Sequence, residues 1–269
     1  MTDSAVHNSL YDDAMAYDIL HTPGTAEELD GLERAAATHV RTRSQRQRWI
    51  EPACGSGRSV RLAAARGTPI VGFDMNPAMV VYANDRLHRV GLGRHASVCA
   101  ADMRTFADTG VCEPGSIDFA FNTINTIRHL MTDADMLTHL GQIHRVLRAG
   151  GVYAVGLSTC LYGCEQPTED TWSARRGRVG VSQTVQYVPP TGPRGGARVE
   201  RVFSHVVIER PAGVTHSDST YRLRTYSLNQ WISLIQRSPL EWIETADHAG
   251  SPIEPTESGY RLFLLRRHG

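Results

Sequence analysis

The chain has 269 residues, and its 28 acidic residues balance 28 arginines, with no lysine. A formal charge of zero lacks the basic field with which proteins hold a phosphate backbone, so no nucleic-acid partner is expected. No apolar run approaches the roughly 20 residues that cross a bilayer, so no membrane partner is expected. The length is sufficient for one large α/β domain, alone or with an insertion.

The five cysteines are odd in number and irregularly spaced, which is typical of reduced thiols. Met1–Asp13 contains acidic residues and lacks the apolar segment of a signal peptide. These features predict a cytoplasmic protein. Cys160 and Cys164 have a spacing that could hold a metal, but no second pair of Cys or His residues stands near them at ligand spacing, so no metal site is expected.

Two helices are predicted between residues 10 and 42. Apolar residues of the first recur at helical spacing, and Pro23-Gly24 ends it. Thr25 followed by Glu28 has the pattern of a capping box and predicts the start of the second helix. Such helices could cover one end of a sheet or close a pocket.

From residue 46 the pattern alternates between strands and helices. The last of these helices is predicted to begin at Thr132 and to end at Gly150-Gly151. Alternation of this kind favours a parallel sheet with helices on both faces. The five predicted strands are Trp49–Ala53, Pro69–Phe73, Ala96–Ala101, Ile117–Phe121 and Val152–Leu157.

After Ser158 the alternation stops. Residues 159–180 are polar and rich in Arg and Gly, and the arginines within 175–178 are predicted to lie in a mobile loop. Three β-like runs follow, and Pro- and Gly-rich turns separate them, the first turn at 189–193. Short separators predict an antiparallel meander. The three runs are Val181–Val188, Arg198–Glu209 and Thr220–Tyr226.

The chain closes with one helix and two strands. Ser227 and Gln230 have the capping-box pattern and predict a helix over Leu228–Gln236. Leu240–Thr245 and Tyr260–Leu265 are the predicted closing strands of the sheet.

The first four strands each end in a polar residue suited to a ligand. Glycines at 55 and 57 tolerate positive φ and let the backbone approach a ligand closely. Asp74 follows Gly55 by 19 residues, where a carboxylate can accept the hydroxyls of a ribose. Val60 stands where a dinucleotide-binding loop has its third glycine, which argues against a nicotinamide oxidoreductase. The edge residues are Glu51, Asp74, Asp102 and Asn122.

Three motifs at these strand ends resemble those of class I S-adenosylmethionine-dependent methyltransferases: Glu51–Gly57, Gly72–Met79 and Ala101–Met103. The resemblance covers roughly residues 46–158 and extends more loosely to the closing strands. It implies an α/β Rossmann-like fold with a seven-stranded, mostly parallel sheet whose last strand is antiparallel. It also implies S-adenosylmethionine as the cofactor and S-adenosylhomocysteine as the product.

The resemblance assigns roles to the edge residues. It implies that Asp74 binds the ribose, that Met75 faces the adenine, and that Asp102 accepts from the adenine amino group beside Met103. Core packing is the alternative for both methionines, and support of the loop is the alternative for Glu51. The implied cofactor-binding residues are Tyr17, Glu51, Ala53, Gly55, Gly57, Asp74, Met75, Asp102, Met103 and Asn122.

His129 is the candidate catalytic residue, because a hydroxyl or carbon acceptor usually needs a base. It lies just past the fourth predicted strand, in Asn122–Leu130. This segment resembles the N-x-x-x-H-L stretch of small-molecule N-methyltransferases that act on glycine or amino sugars, although the spacing differs. A structural hydrogen bond is the alternative role of this histidine.

Three further residues, Tyr11, Arg224 and Tyr226, are candidates for substrate binding. Tyr11 and Tyr17 resemble the tyrosines of the N-terminal lid in those enzymes, where a phenol can close over the cofactor carboxylate or the substrate amine. Core packing is the alternative for both. Arg224 and Tyr226 end the meander, where they could bind an acidic substrate at the pocket mouth or lie on a solvated strand face.

These predictions define a division of the chain and a function. The function is methyl transfer to a small-molecule acceptor, with an amine nitrogen favoured and O-methylation as the alternative. Protein or RNA methylation and a non-enzymatic cofactor-binding module are further alternatives. The predicted parts are a helical lid (1–45), a cofactor-binding Rossmann-like core (46–158), an inserted antiparallel substrate cover (159–227), and a closing helix and strands (228–269).

Overall fold

The computed structural model describes residues 10–44, 46–191 and 196–268. The central sheet has seven strands in the order β10-β11-β5-β4-β1-β2-β3. Neighbouring strands from β5 to β3 are parallel, whereas β11 runs antiparallel to both β5 and β10. The seven strands are β1 (Trp49–Pro52), β2 (Ile70–Asp74), β3 (Ala96–Ala100), β4 (Ile117–Asn122), β5 (Leu147–Thr159), β10 (Glu241–Ala246) and β11 (Gly259–Arg266).

Six α-helices and three short 3-10 helices accompany the sheets in the described part of the chain. None of the described helices is long and apolar enough to cross a membrane. The 3-10 helices are Leu10–Asp12, Phe106–Asp108 and Thr126–His129. The α-helices are α1 (Ala14–His21), α2 (Thr25–His39), α3 (Arg58–Ala65), α4 (Pro77–Arg89), α5 (Asp133–Val146) and α6 (Leu228–Gln236).

The central sheet is covered on both faces, as the alternation of strands and helices predicts. Successive side chains of a strand point to opposite faces, so each buried strand contributes to two cores. On β4, Ala120 packs with α5 and α6, whereas Phe119 and Phe121 pack with α2, α3 and α4. All six residues of β4 are buried. The fold class predicted from the sequence is therefore confirmed.

A second sheet of four antiparallel strands lies between β5 and α6 in the chain. Its order is β6-β7-β8-β9. Helix α1 packs on this sheet, where Ile19 and Leu20 join Val181 and Val206 in a small apolar cluster. The strands are β6 (Thr168–Arg176), β7 (Val179–Val188), β8 (Val199–Arg210) and β9 (Gly213–Arg224). We call this sheet the cover sheet.

The cover sheet corrects two predictions. The polar segment 159–180 contains β6, and Arg175 and Arg176, which were predicted to lie in a mobile loop, pair with residues of β7. Strand β9 begins at Gly213, seven residues before the predicted run, and pairs with β8 from there. Both stretches are polar because they border a cavity and solvent, so they lack the apolar runs of a buried strand. The predicted turn at 189–193 lies partly outside the described residues, as do residues 1–9 of the predicted lid.

Two helix ends also differ from the predictions. Gly24 caps α2, with φ of 80°, and the hydroxyl of Thr25 donates back to the carbonyl of Thr22, so the predicted capping box does not form. Helix α5 ends at Val146, and Leu147 already pairs with Ile117 as the first residue of β5. The capping box of α6 is present as predicted.

Candidate active site

A glycine loop follows β1 at the carboxyl edge of the central sheet. Ala53, Gly55 and Gly57 have φ of 49°, 53° and 69°, the left-handed region in which a Cβ is strained. A Cβ on Gly57 would lie 3.0 Å from the Cβ of Ala83, and one on Gly55 would lie 3.1 Å from the ring of Tyr17. The loop therefore needs glycine at 57 for packing against α4, and at 55 because Tyr17 covers it.

Asp74 holds this loop from the end of β2. The backbone N–H of Gly55 donates to its Oδ2 at 2.8 Å, and the N–H of Asn76 donates to its Oδ1 at 2.8 Å. Burial raises the pKa of Asp74, and these backbone donors oppose the shift. Each carboxylate oxygen accepts two or more hydrogen bonds when its geometry allows, so both oxygens keep capacity for hydroxyl donors.

Glu51 lies buried at the end of β1, beneath the loop. Burial raises its pKa to about 8, against the charge of Arg58 and hydrogen bonds from Ser59 and the backbone of Val60. Its Oε2 is buried and has no hydrogen-bond partner in the described part of the chain. A buried acceptor without a donor is costly, so a cationic ligand group at this position would satisfy it.

The edges of β2 and β3 hold the residues implied for adenine. Met75 is 72% exposed and free to cover a flat ligand, whereas Met103 packs against the core and its carbonyl accepts from His139. Asp102 forms an ion pair with Arg104 at 2.6 Å, which lowers its pKa. Its carboxylate is thus already engaged on the surface of the loop.

Asn122 ties the end of β4 to the end of β1. Its Nδ2 donates to the carbonyl of Pro52 at 2.8 Å, and the side chain is buried. Its Oδ1 is the second buried acceptor of this edge without a partner among the residues described. The two orphan oxygens, on Glu51 and Asn122, lie at the ends of the adjacent strands β1 and β4.

Next to this edge lies a cavity of about 600 Å³, which the cover sheet closes on one side. Its walls come from the N-terminal segment, the loop after β4, the end of β5, and strands β6 to β9. Aromatic and imidazole rings follow one another along it with centroids 4.3 to 6.5 Å apart. In order they are Tyr221, His129, Tyr11, Tyr17, His21 and Trp172.

His129 lies in this cavity, at the end of the 3-10 helix after β4. Its ring is 5.8 Å from that of Tyr221 and 6.3 Å from that of Tyr11, measured between centroids. The side chain is open to the cavity, yet the surrounding protein desolvates it and lowers its pKa, and Arg128 lowers it further. His129 is therefore neutral at neutral pH and able to accept a proton.

The charges that line the cavity are mostly negative. Arg128 is the only arginine among the described lining residues, and its guanidinium donates to Glu200 at 2.8 Å. Glu165 and Asp170 also line the cavity without a matching cation there. The pKa of His21 is lowered to about 4, mainly by burial, so this residue is neutral as well.

The structure does not bring two of the three predicted substrate residues to the cavity. Tyr226 is fully buried, and its ring packs against Trp231 and under the guanidinium of Arg198. The guanidinium of Arg224 donates to Asp133 and also lies over the ring of Tyr226. Both lie away from the cavity because β9 ends at position 224 and the chain turns inward into α6, so their role in substrate binding stays a prediction. Tyr11 does line the cavity.

Several residues that line the cavity were not predicted from the sequence. They include Arg128, Trp172, Tyr187, Glu200 and Tyr221. Alternation along β6 to β9 would have placed every second residue on one face, but no pattern in the sequence says which face meets the core. Tyr11 and Tyr17 were predicted because they resemble the tyrosines of the N-terminal lid in small-molecule N-methyltransferases.

Comparison with known proteins identifies the class of fold. Residues 50–151 match the methyltransferase domain family. Curated protein sequences gave no match. An S-adenosylmethionine-dependent methyltransferase from Clostridium acetobutylicum aligns with a TM-score of 0.69 at 12% identity, over 97% of this chain and 100% of that chain.

Two solved structures of sugar-modifying enzymes are similar to the chain. The sugar N-methyltransferase KedS8 from Streptoalloteichus aligns with a TM-score of 0.69 at 17% identity, over 96% of this chain and 93% of its own. CalS10 from Micromonospora echinaspora, an amino pentose methyltransferase, aligns with a TM-score of 0.67 at 19% identity, over 97% and 98%. At these identities the likeness establishes the fold.

The chain thus contains a methyltransferase domain and has the class I methyltransferase fold. The resemblance to the family is confirmed for the matched domain and for the fold. Dependence on S-adenosylmethionine is what that resemblance implies. The roles of individual site residues and the limits of the parts of the chain remain predictions.

Proposed function

We propose that this protein transfers a methyl group from S-adenosylmethionine to the nitrogen of a small-molecule amine. The observation that carries the proposal is the character of the cavity beside the glycine loop. The cover sheet closes it on one side, aromatic rings line it, and its charges are mostly negative, which suits a cationic or polyhydroxylated amine and disfavours an acidic substrate.

The residues of the sheet edge fit the cofactor. Glu51 offers a buried oxygen without a partner to an ammonium group, and Asp74 offers two oxygens whose positions the backbone fixes. Gly55 and Gly57 leave room for close approach of the backbone, and Met75 is exposed beside them. Bound there, S-adenosylmethionine would supply an electrophilic methyl group on sulfur.

The protein's own contribution to the reaction is alignment, exclusion of water and removal of a proton. Tyr17 covers Gly55 of the glycine loop, and the rings of Tyr17 and Tyr11 line the cavity, where they displace water from its wall. His129 is neutral and faces the cavity, so it is the group suited to take the proton that the amine loses. Tyr11, Tyr17 and Tyr221 do not serve as bases at neutral pH, because burial raises the pKa of each.

Amino sugars are the first acceptors to test. KedS8 is a sugar N-methyltransferase and CalS10 is an amino pentose methyltransferase, and both align with nearly the whole chain. The cavity volume of about 600 Å³ accommodates a ligand of sugar size. The carboxylates Glu165 and Asp170 suit hydroxyl and ammonium donors of such a ligand.

The test is methyl transfer from labelled S-adenosylmethionine to matched pairs of compounds, detected by mass spectrometry. Each pair is an amino sugar and the same sugar with a hydroxyl in place of the amine. We expect one added methyl on the amine member only. Methylation of the hydroxyl members alone would replace the proposal by O-methylation, and turnover of a peptide or an RNA alone would replace it by macromolecular methylation.

Binding of the cofactor without turnover of any acceptor class would support the non-enzymatic alternative. The cytoplasm remains the location that we infer, on the odd number and irregular spacing of the five cysteines.

A further inference from the structure

Asp18 is a fully buried carboxylate in α1, outside both the sheet edge and the cavity. Four side chains donate to it, each from a different element of the fold. Ser56 Oγ and Arg61 Nη2 reach Oδ1 at 3.0 and 3.1 Å. Tyr82 Oη and Arg176 Nη1 reach Oδ2 at 3.0 and 2.7 Å. One carboxylate therefore connects the glycine loop, α3, α4 and the cover sheet.

This cluster is ionic in character. Burial alone would raise the pKa of Asp18, but Arg61 and Arg176 outweigh burial and hold that pKa below its ordinary value. An ionised carboxylate that is buried away from water is stabilised only when both of its oxygens accept hydrogen bonds, and both oxygens of Asp18 do so. Arg176 also reaches the hydroxyl of Thr22 at 3.2 Å, so its guanidinium spans the end of α1.

The position of Asp18 in the chain gives the cluster a functional meaning. The preceding residue, Tyr17, covers Gly55 and lines the cavity. Ser56, which donates to Asp18, is the residue between the two glycines of the loop. Movement of Asp18 would therefore displace both the ring over the loop and one of the loop's own hydrogen bonds.

We propose that Asp18 and Arg176 are a positioning pair through which the cover sheet holds the glycine loop in its cofactor-binding conformation. The inference rests on the proposed cofactor site at that loop. Arg176 itself touches neither the loop nor the cavity, so its effect passes through Asp18. The cover sheet then has two roles. It forms a wall of the cavity for the methyl acceptor, and it holds α1 over the glycine loop.

Arg176→Gln tests the pair, and Arg175→Gln is the matched control. Arg175 is the adjacent residue of β6 and pairs with Glu209 on the opposite, exposed face. Loss of Arg176 leaves Asp18 three donors, so we expect the variant to fold. The measurement is calorimetric titration with S-adenosylhomocysteine, with the midpoint of thermal unfolding recorded for each variant.

We expect Arg176→Gln to raise the Kd of S-adenosylhomocysteine about tenfold, a coupling of ordinary size. Arg176→Lys should recover most of the affinity, and Arg175→Gln should bind like the wild type. A variant Arg176→Gln that melts earlier but binds S-adenosylhomocysteine with unchanged Kd would overturn the inference, since the pair would then serve stability alone. If Arg176→Gln does not fold, Tyr82→Phe is measured instead, because it also removes one donor from Asp18. The Kd of S-adenosylhomocysteine and the midpoint of unfolding then decide between the same two outcomes.

The outcome for the wild type separates this inference from the proposed function. If the wild type binds S-adenosylhomocysteine tightly and Arg176→Gln binds it with the same Kd, the positioning pair is refuted and the proposed function is not. Absence of binding by the wild type refutes the cofactor site, and the inference with it.

Discussion

The two sheets of this protein are stabilised by different interactions. Strand β4 of the central sheet is buried along its whole length, and four of its six residues are apolar. Strand β6 of the cover sheet has no buried residue, and its side chains alternate between exposed and partly exposed only from Thr171 onward. The first kind of strand is specified by hydrophobic burial, whereas the second is specified by pairing with its neighbours and by what it encloses.

This difference matches a division of function. The edge of the central sheet presents the proposed cofactor site, which is made of backbone and short polar side chains and in which Asp74 accepts a hydrogen bond from the glycine loop. The cover sheet presents long side chains to a cavity. We therefore expect substitutions at the edge to act on the cofactor and substitutions on the cover sheet to act on the acceptor.

The largest effect is expected for Asp74→Ala. It removes two oxygens that hold Gly55 and Asn76 and that we assign to the ribose hydroxyls. Two hydrogen bonds to a charged group are worth about 4 kcal/mol together, which corresponds to a Kd increase on the order of a thousand-fold. Calorimetry with S-adenosylhomocysteine measures it. Wild-type affinity in this variant would place the cofactor elsewhere.

His129→Gln is expected to affect turnover and to leave cofactor binding unchanged. A general base contributes on the order of a hundred-fold to the rate, so kcat should fall by about that factor. Because the pKa of His129 is lowered, the wild-type rate should rise with pH through a limb below the ordinary pKa of 6.5. The limb should be absent in His129→Gln. An unchanged pH profile would assign His129 a structural role.

Glu51 makes cofactor affinity depend on pH. Its folded-state pKa of about 8 lies above the ordinary 4.5, so the ligand-free carboxyl keeps its proton at neutral pH. The free energy of unfolding therefore falls as the pH rises from 4.5 to about 8, because in this range the unfolded chain has released the proton and the folded chain has not. A ligand ammonium favours the carboxylate, so affinity should rise up to about tenfold per pH unit towards pH 8. Glu51→Gln should remove that slope, and a slope that persists would refute this role.

Asp170→Asn should act on the acceptor alone. The substitution removes one negative charge from the cavity and keeps the shape of the side chain. We expect the KM for the amine to rise several-fold, as for a partly exposed ion pair, with an unchanged Kd for S-adenosylhomocysteine. Glu169→Gln, one residue earlier in β6, is the control and should change neither. Equal effects of both substitutions would show that the cavity wall does not discriminate by charge.

Much of the central sheet could be predicted from the sequence, because its strands are apolar runs bounded by strong turns. The glycine loop and the polar residues at the strand ends are visible in the same way, since chain order places them at one edge. The capping box at Ser227 was also predicted correctly. The same signal failed at Thr25, where Gly24 in the left-handed conformation begins the helix instead.

The acceptor wall could not be predicted to the same degree. Strand β6 has only two apolar residues, Trp172 and Ala174, so its composition does not separate it from a loop. The pairing of Asp18 with Arg176 joins residues 158 positions apart, and no local pattern reports such a contact. Tyr226 looked like a pocket residue because it follows the meander, yet its ring serves the core beside Trp231.

A structure of the protein with S-adenosylhomocysteine and an amine that it methylates is the most direct test of the proposed site. We expect the ribose hydroxyls on Asp74, the ammonium beside Glu51, and the sulfur facing the cavity that holds His129 and Tyr221. The amine nitrogen should point towards that sulfur from within the cavity. A cofactor bound away from the glycine loop, or an acceptor bound outside the cover sheet, would contradict the account.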